Sequence, residues 1–450
     1  MQSINPYTSE LLREYPEHSF EQALDAVKDA RKAQVAWSAL PIHERCKLLR
    51  KAGEILRKRK DELATIITLE MGKPIKESVA EIEKCAVSCD YYASNAEHML
   101  KPEEIKTDMQ KSYVLFQPLG VVFAIMPWNF PFHQVFRCAA PALAAGNVCV
   151  LKHASNVPGS AMAIQSVFEE AGFPQNTFKT LLITSENAMK LVEHIDGVAL
   201  TGSNAAGEAV GELAGKHIKK MVLELGGSDP FIVLKDANVE KAAQAAVKSR
   251  FLNAGQSCIA AKRFIVLESV AEAFEEAFVS HLKRLVIGDP MEKTTDIGPL
   301  AKPSFVKDLE VQLEDAKKKG AKVLYAHEKP KNGFFFAPCA VSNVTKDMKI
   351  IKEEVFGPIA PIIVVKTDEE AVRVANDTPF GLGASVWSKD LERAQKLAEK
   401  IQAGTVAINE MVKSDARMPF GGIKKSGVGR EFSHYGLKEF VNVKTINMNP

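Results

Sequence analysis

A cysteine, a glutamate and an asparagine in three separate stretches of this chain could together attack a carbonyl. Cys258 closes Gly255-Gln256-Ser257-Cys258, Glu224 opens Glu224-Leu225-Gly226-Gly227, and Asn129 lies within Pro127-Trp128-Asn129-Phe130-Pro131. The thiol is the nucleophile of the set. A free cysteine titrates near ~8.5, so little thiolate exists at neutral pH and a neighbouring base is an advantage. A lone cysteine is more often a small buried hydrophobe, and only its company argues otherwise. Glu224 is embedded in the apolar run Met221-Val222-Leu223-Glu224-Leu225. A carboxylate there is either paired or raised in pKa by desolvation, and the second state suits a general base. Two prolines stiffen the backbone around Asn129, whose amide could be an oxyanion donor, worth about 2.7–4 kcal/mol of barrier, the N-cap of a following helix, or both at once.

A second group of residues is suited to holding a phosphate-bearing cofactor. The dinucleotide fingerprint G-x-G-x-x-G is absent: Gly381-Leu382-Gly383 begins one, but Val386 stands at the third glycine. Thr201-Gly202-Ser203-Asn204-Ala205-Ala206-Gly207 instead lies between a predicted strand and a predicted helix. Glycine there allows close backbone approach, and a helix N-terminus favours anions. Lys152 ends a predicted strand, where open α/β sheets bind ligands; it is either a ribose or phosphate contact or a solvated lysine.

The elements that must position these residues read as α/β. Helical periodicity runs from about Phe20 to Asn95. Strands are predicted at Val121–Ile125, Val148–Leu151, Phe178–Ile183 and Gly197–Thr201, alternating with helices from Pro131, over Ser160–Glu170 and over Glu186–His194. A second alternating block has strands near Phe231–Leu234, Phe264–Leu267, Ile359–Val364 and Ala384–Trp387. Such alternation predicts parallel sheets covered by helices, in two α/β domains meeting near 224–228. A chain of 450 residues exceeds the ~250–300 at which one core stops growing, which agrees with more than one domain.

With 46% hydrophobic and 25% charged residues and a net charge of +2, the chain has no electrostatic case for nucleic acid or membrane partners. Its seven cysteines are odd in number and lack C-x-x-C spacing, which points to a reducing compartment. Cys85 and Cys89 stand four apart on a predicted helix, but no nearby His or Cys completes a metal site, so no metal is expected. No secretory signal is evident at Met1-Gln2-Ser3-Ile4-Asn5-Pro6, and the apolar stretch 135–151 is interrupted by Arg137, Pro141, Gly146 and Asn147. A cytoplasmic protein is expected.

Taken in order, these motifs resemble the aldehyde dehydrogenase superfamily over essentially the whole chain. The likeness rests on the Pro-Trp-Asn-Phe-Pro box, Lys152, Thr201-Gly202-Ser203, Glu224-Leu225-Gly226-Gly227, Gly255-Gln256-Ser257-Cys258, Glu353-Glu354-Val355-Phe356-Gly357-Pro358 and Pro419-Phe420-Gly421-Gly422. The resemblance implies two Rossmann-like α/β domains with a small β extension. Residues 1–100 and 119–225 would bind cofactor, 226–425 would carry catalysis, and 101–118 with 426–450 would join subunits into a homodimer or homotetramer. It implies that Cys258 attacks an aldehyde, that the Asn129 amide and the Cys258 N–H hold the oxyanion, and that hydride leaves to nicotinamide. Glu224 would then activate water against the thioester. Trp128, Lys152, Ser155, Gly202, Ser203, Leu225, Glu354 and Phe356 would line the cofactor.

Within the superfamily the chain is similar to bacterial succinate-semialdehyde dehydrogenases of the shorter kind, on Leu151-Lys152-His153-Ala154-Ser155-Asn156-Val157, Cys258-Ile259-Ala260-Ala261-Lys262-Arg263-Phe264 and Ser414-Asp415-Ala416-Arg417. That likeness implies that Arg137 and Ser414 bind the substrate's far carboxylate, with Arg417 an alternative to Arg137. Two departures stand out: a second arginine of some relatives is Leu252 here, and the paired cysteine of a redox switch is Ala260. Ser155 replaces a glutamate common in NAD-preferring relatives, so NADP is expected to serve at least as well as NAD. Other readings are a broader aldehyde dehydrogenase acting on glutarate semialdehyde, lactaldehyde or medium-chain aldehydes, an acylating enzyme that uses coenzyme A, and a binding protein that has lost catalysis.

Overall fold

The computed structural model describes residues 1–449. Four helices, Phe20–Ala39, Ile42–Lys58, Lys60–Met71 and Ile75–Met99, fill the N-terminal stretch of helical periodicity. Ser19 and Gln22 form a reciprocal capping box ahead of the first, and left-handed Gly72 closes the third. Buried Trp37 donates from Nε1 to the Leu143 carbonyl at 3.1 Å, which fixes the first helix against the helix His133–Ala145.

The first sheet has the strand order Gly427–Val428, Lys220–Glu224, Gly197–Thr201, Val121–Met126, Val148–His153, Phe178–Thr180. All its pairings are parallel except that of Gly427–Val428, which runs antiparallel to Leu223 and Glu224. The central strands are continuous apolar runs because helices cover both faces. The second sheet has the order Lys322–Ala326, Cys339–Ser342, Ile359–Val365, Ala261–Leu267, Asp229–Val233, Gly383–Trp387, Thr405–Ile408, with the first strand alone antiparallel. A third, antiparallel sheet joins Val441–Met448, Lys111–Pro118 and Glu103–Glu104.

Several boundaries differ from the sequence reading. The strand predicted to reach Ile183 ends at Thr180, and the helix predicted to reach His194 ends at Leu191 with a tight 3-10 turn after it. The strands Lys322–Ala326, Cys339–Ser342 and Thr405–Ile408 were not predicted; each is only four or five residues long, too short for a period to declare itself. The tail beyond 426 also divides. Gly427–Val428 extends the first sheet, the helix Ser433–Glu439 packs by the helix His133–Ala145, and only Val441–Met448 enters the third sheet.

Lys152, Thr201 and Glu224 all stand at the carboxyl ends of parallel strands, while Cys258 lies just before the second-sheet strand Ala261–Leu267. The loop that delivers Cys258 is conformationally expensive. Asn253, Ala254 and Gly255 are consecutive left-handed residues with φ of 52°, 54° and 77°. Buried Arg250 holds the turn by donating from Nη1 to the Ala261 carbonyl at 3.2 Å and from Nη2 to those of Gly255 and Val355, each at 3.1 Å, and to Gly357. At Gly255 a β-carbon would lie 2.5 Å from the Gly357 carbonyl oxygen. Gly255→Ala is therefore expected to cost about 1–3 kcal/mol of stability, read as a lowered urea midpoint, together with slower alkylation of Cys258.

Candidate active site

Asn129 follows the strand Val121–Met126, and its amide is turned toward the cysteine loop. Its Nδ2 donates to the Gln256 carbonyl at 3.0 Å, and its Oδ1 accepts from Gln134 Nε2 at 3.1 Å. Asn253 completes the knot by donating to the Asn129 carbonyl at 2.9 Å. The alternative reading of Asn129 as a helix cap is not what the fold uses: the helix starts at His133, and Glu81 of a neighbouring helix accepts from the N–H groups of Phe132 and His133 at 2.9 and 3.0 Å. One N–H of the Asn129 amide is spent on Gln256, leaving the other for an oxyanion.

Glu224 ends its strand with both carboxylate oxygens buried and without a hydrogen-bond partner. Burial holds its carboxyl well above the usual carboxylate range; the Arg137 charge opposes this and Glu431 reinforces it. Of the two sequence readings, desolvation rather than direct pairing is what this environment produces. Cys258 is partly buried, and burial pushes its thiol up to about 11 despite the lowering charges of Arg137 and Lys262, with Glu224 and Glu354 raising it further. The thiol and the carboxylate segments meet in backbone contact, since a β-carbon at Gly227 would lie 2.7 Å from the Cys258 carbonyl oxygen.

Arg137 has partners other than the substrate carboxylate expected of it. Its guanidinium is buried in an ion pair with Glu431, reaches Thr201 Oγ1 at 3.3 Å and lies 4.7 Å over the Phe420 ring. Its charge is thus paired, and it also acts on Glu224 and Cys258, lowering the pKa of both. Arg417 is spent on Asp415 in a two-pronged pair at 2.9 and 2.6 Å and is largely exposed. Ser414 stands elsewhere in the same region, accepting from Lys84 Nζ at 2.6 Å and lying 3.3 Å from His133 Nε2.

The cofactor candidates fall in two groups. Lys152 is 8% exposed and has no carboxylate within 4.0 Å among the described residues; burial and the nearby Lys302 charge lower its pKa. Exposed Ser155 lies three residues beyond it. Ser203 caps the helix Asn204–Lys216 by accepting from Ala206 N–H at 3.3 Å, and a β-carbon at Gly202 would meet only Leu200 and Ala206, at 3.7 and 3.9 Å. Leu225 packs so closely on Gly207 that a β-carbon there would come within 2.4 Å. An unpaired buried cation, a helix N-terminus and a glycine at the turn are a donor set that fits a phosphate-bearing dinucleotide. The second group borders Cys258. Glu354 accepts from Gly227 N–H at 3.1 Å and pairs with Lys262 at 3.1 Å, while Trp128 stacks on Phe305 at 4.9 Å and meets Phe356 edge-on at 5.8 Å.

A family model described as Aldehyde dehydrogenase family matches residues 1–446. The chain belongs to the aldehyde dehydrogenase family. The succinate-semialdehyde dehydrogenase (NADP+) of Deinococcus radiodurans is 41% identical over 100% of this chain and 94% of its own, and the succinate semialdehyde dehydrogenase (NAD(P)+) Sad of Escherichia coli 44% over 99% and 97%. The crystal structure of succinic semialdehyde dehydrogenase from Streptococcus pyogenes in complex with NADP+ superposes with a TM-score of 0.97 at 38% identity, covering 100% of each chain.

For this aldehyde dehydrogenase, sequence reading missed Glu431, Arg250, Phe305 and Lys262 as neighbours of the site. Glu431 follows the glycine-rich tail at Gly429-Arg430, a signal that was visible but carried no charge partner in sequence. Glu224→Gln keeps the shape of the buried side chain but removes a negative charge that raises the Cys258 pKa. The alkaline rise in alkylation of Cys258 by iodoacetamide, approaching about pH 11 in the unmodified enzyme, is expected to move to lower pH in this variant. An unmoved profile would separate the two groups electrostatically.

Proposed function

We propose that this aldehyde dehydrogenase oxidises succinate semialdehyde to succinate, with NADP+ the better electron acceptor and NAD+ also used. The observation that carries the chemistry is the convergence of Cys258, the Asn129 amide and desolvated Glu224 where the two sheets meet. The full-length likeness to succinate-semialdehyde dehydrogenases supports the substrate. Unpaired Lys152 beside exposed Ser155, where no carboxylate would repel a 2′-phosphate, supports the NADP preference.

In this reading the Cys258 sulfur bonds to the aldehyde carbon as its proton passes to Glu224 and on to solvent, and the carbonyl oxygen, now an anion, is held by the free N–H of Asn129 and the Cys258 backbone N–H. The nicotinamide, when bound, supplies the acceptor for the aldehyde's hydride. Trp128, Phe305 and Phe356 wall the region, and Glu354, anchored by Gly227 and Lys262, fixes the turn after Glu224. The acyl group remains on sulfur as a thioester. Glu224 takes a proton from water, whose oxygen bonds to the acyl carbon as the carbon–sulfur bond breaks, releasing the acid and a thiolate that the Glu224 proton returns to the thiol. A hydrolytic base of this kind favours acid release over transfer to coenzyme A.

Assembly into a homodimer or homotetramer forms part of the same proposal. The strand Val441–Met448 is an outer strand of its sheet, mostly exposed, and pairing with a neighbour would cover its open edge.

Steady-state rates with succinate semialdehyde and with butanal, which has the same carbon chain without the carboxylate, test the substrate. The semialdehyde is expected to lead in kcat/KM by at least about tenfold, roughly 1.4 kcal/mol of transition-state preference. Equal values would leave the aldehyde chemistry and remove this substrate. Ser155→Glu is expected to shift the NADP+/NAD+ ratio of kcat/KM toward NAD+; an unchanged ratio would remove the cofactor argument.

A further inference from the structure

The left-handed turn at 253–255 has a second support besides Arg250, and it comes from the N-terminal helices. Glu77, the third residue of the helix Ile75–Met99, accepts from the Asn253 N–H at 2.8 Å through Oε2. Asn253 is fully buried with φ of 52°, and its side-chain amide donates to the Asn129 carbonyl at 2.9 Å and to the Gln256 carbonyl at 3.2 Å. Through this one residue, a carboxylate 176 positions away reaches both the stretch that holds the oxyanion amide and the stretch that ends at Cys258.

An acid in the first turn of a helix ordinarily serves the helix itself. Three observations point further. The lysines next to Glu77 are engaged elsewhere, Lys73 with Glu81 and Lys76 with Asp296 at 2.5 Å, and Glu77 has no ion-pair partner within 4.0 Å among the described residues. The start of its helix is pinned to the segment 290–299: the Ile75 N–H donates to the Pro290 carbonyl at 2.7 Å, and a β-carbon at Gly72 would lie 2.7 Å from the Pro299 carbonyl oxygen. Finally, Asn253 is buried and left-handed, and a buried N–H without an acceptor is costly, so the turn keeps this shape only while something accepts from it.

We propose that Glu77 is a positioning residue for the reaction: by accepting from Asn253 it holds the turn that keeps Cys258 in register with the Asn129 amide. The inference rests on the reading of Cys258 as nucleophile and deepens it by naming what fixes its loop from outside. Glu77 acts through Asn253 and not on the reacting atoms, so its loss should weaken the transition state for any aldehyde and leave substrate choice alone.

Two variants separate this role from service to the helix. Glu77→Asp keeps a negative charge at the helix start but draws the acceptor back by one methylene, whereas Glu77→Gln drops the charge and keeps an oxygen at the same reach. Steady-state NADPH formation is measured with succinate semialdehyde and with butanal, and NADP+ affinity by titration. Glu77→Asp is expected to lower kcat and kcat/KM together by at least about tenfold, by the same factor with both aldehydes, with Kd for NADP+ within about twofold of the unmodified value. Glu77→Gln is expected to stay within about threefold of the unmodified enzyme, because its carbonyl still accepts. Glu77→Asp at least as active as Glu77→Gln overturns the assignment, as does a loss confined to one aldehyde. Loss of NADP+ binding in Glu77→Asp would place the residue in the fold and not in the reaction, and overturns it too. Failure of the nucleophile reading is seen separately, as retained turnover in Cys258→Ala.

Discussion

The site depends on one buried positive charge. Arg137 is 3% exposed, so its guanidinium exists there only because Glu431 sits against it and the Phe420 ring lies beneath it. Removing one member of such a pair typically costs about 3–5 kcal/mol, because the other is left charged without water. The same charge opposes the desolvation that raises Glu224 and Cys258. Without it, Glu224 and Cys258 would each hold a proton more tightly. With it, a pocket dry enough for acyl chemistry retains groups that can ionise.

This requirement explains why the tail must return to the first domain. Gly427 and Val428 pair with Glu224 and Leu223, and Glu431 follows three residues later, so one short antiparallel pairing fixes the base's strand and brings the arginine's counter-charge. A β-carbon at Gly427 would lie 2.0 Å from the Leu223 carbonyl, so glycine is needed for that approach. A second buried cation holds the loop that carries Cys258. Arg250 gathers carbonyls from both sides of the left-handed turn at 253–255, offsetting its strain and presenting Cys258 between the sheets.

What the sequence made legible were features confined to a few neighbouring residues. Prolines flanking Asn129, a glutamate inside an apolar run and a cysteine after Gly255-Gln256-Ser257 each announce a local environment, and parallel strands announce themselves by apolar alternation with helices. The site's charge partners have no such mark. Arg250, in Lys248-Ser249-Arg250-Phe251, looks like a solvated helix face, and nothing near Glu77 in sequence reports that Asn253 will stand beside it. Arg137 shows the same limit from the other side: its position was readable, but the counter-charge that pairs with it lies 294 residues away.

The central claim is that Cys258 and Glu224 divide the reaction between bond formation at sulfur and hydrolysis from it. It is tested most directly in Glu224→Gln mixed with succinate semialdehyde and NADP+, with NADPH followed by rapid absorbance and the protein by intact mass and peptide mapping. A burst approaching one NADPH per active site, slow turnover afterwards and an acyl adduct on Cys258 are the predicted results. Continued turnover at the unmodified rate with Cys258 free would contradict the account.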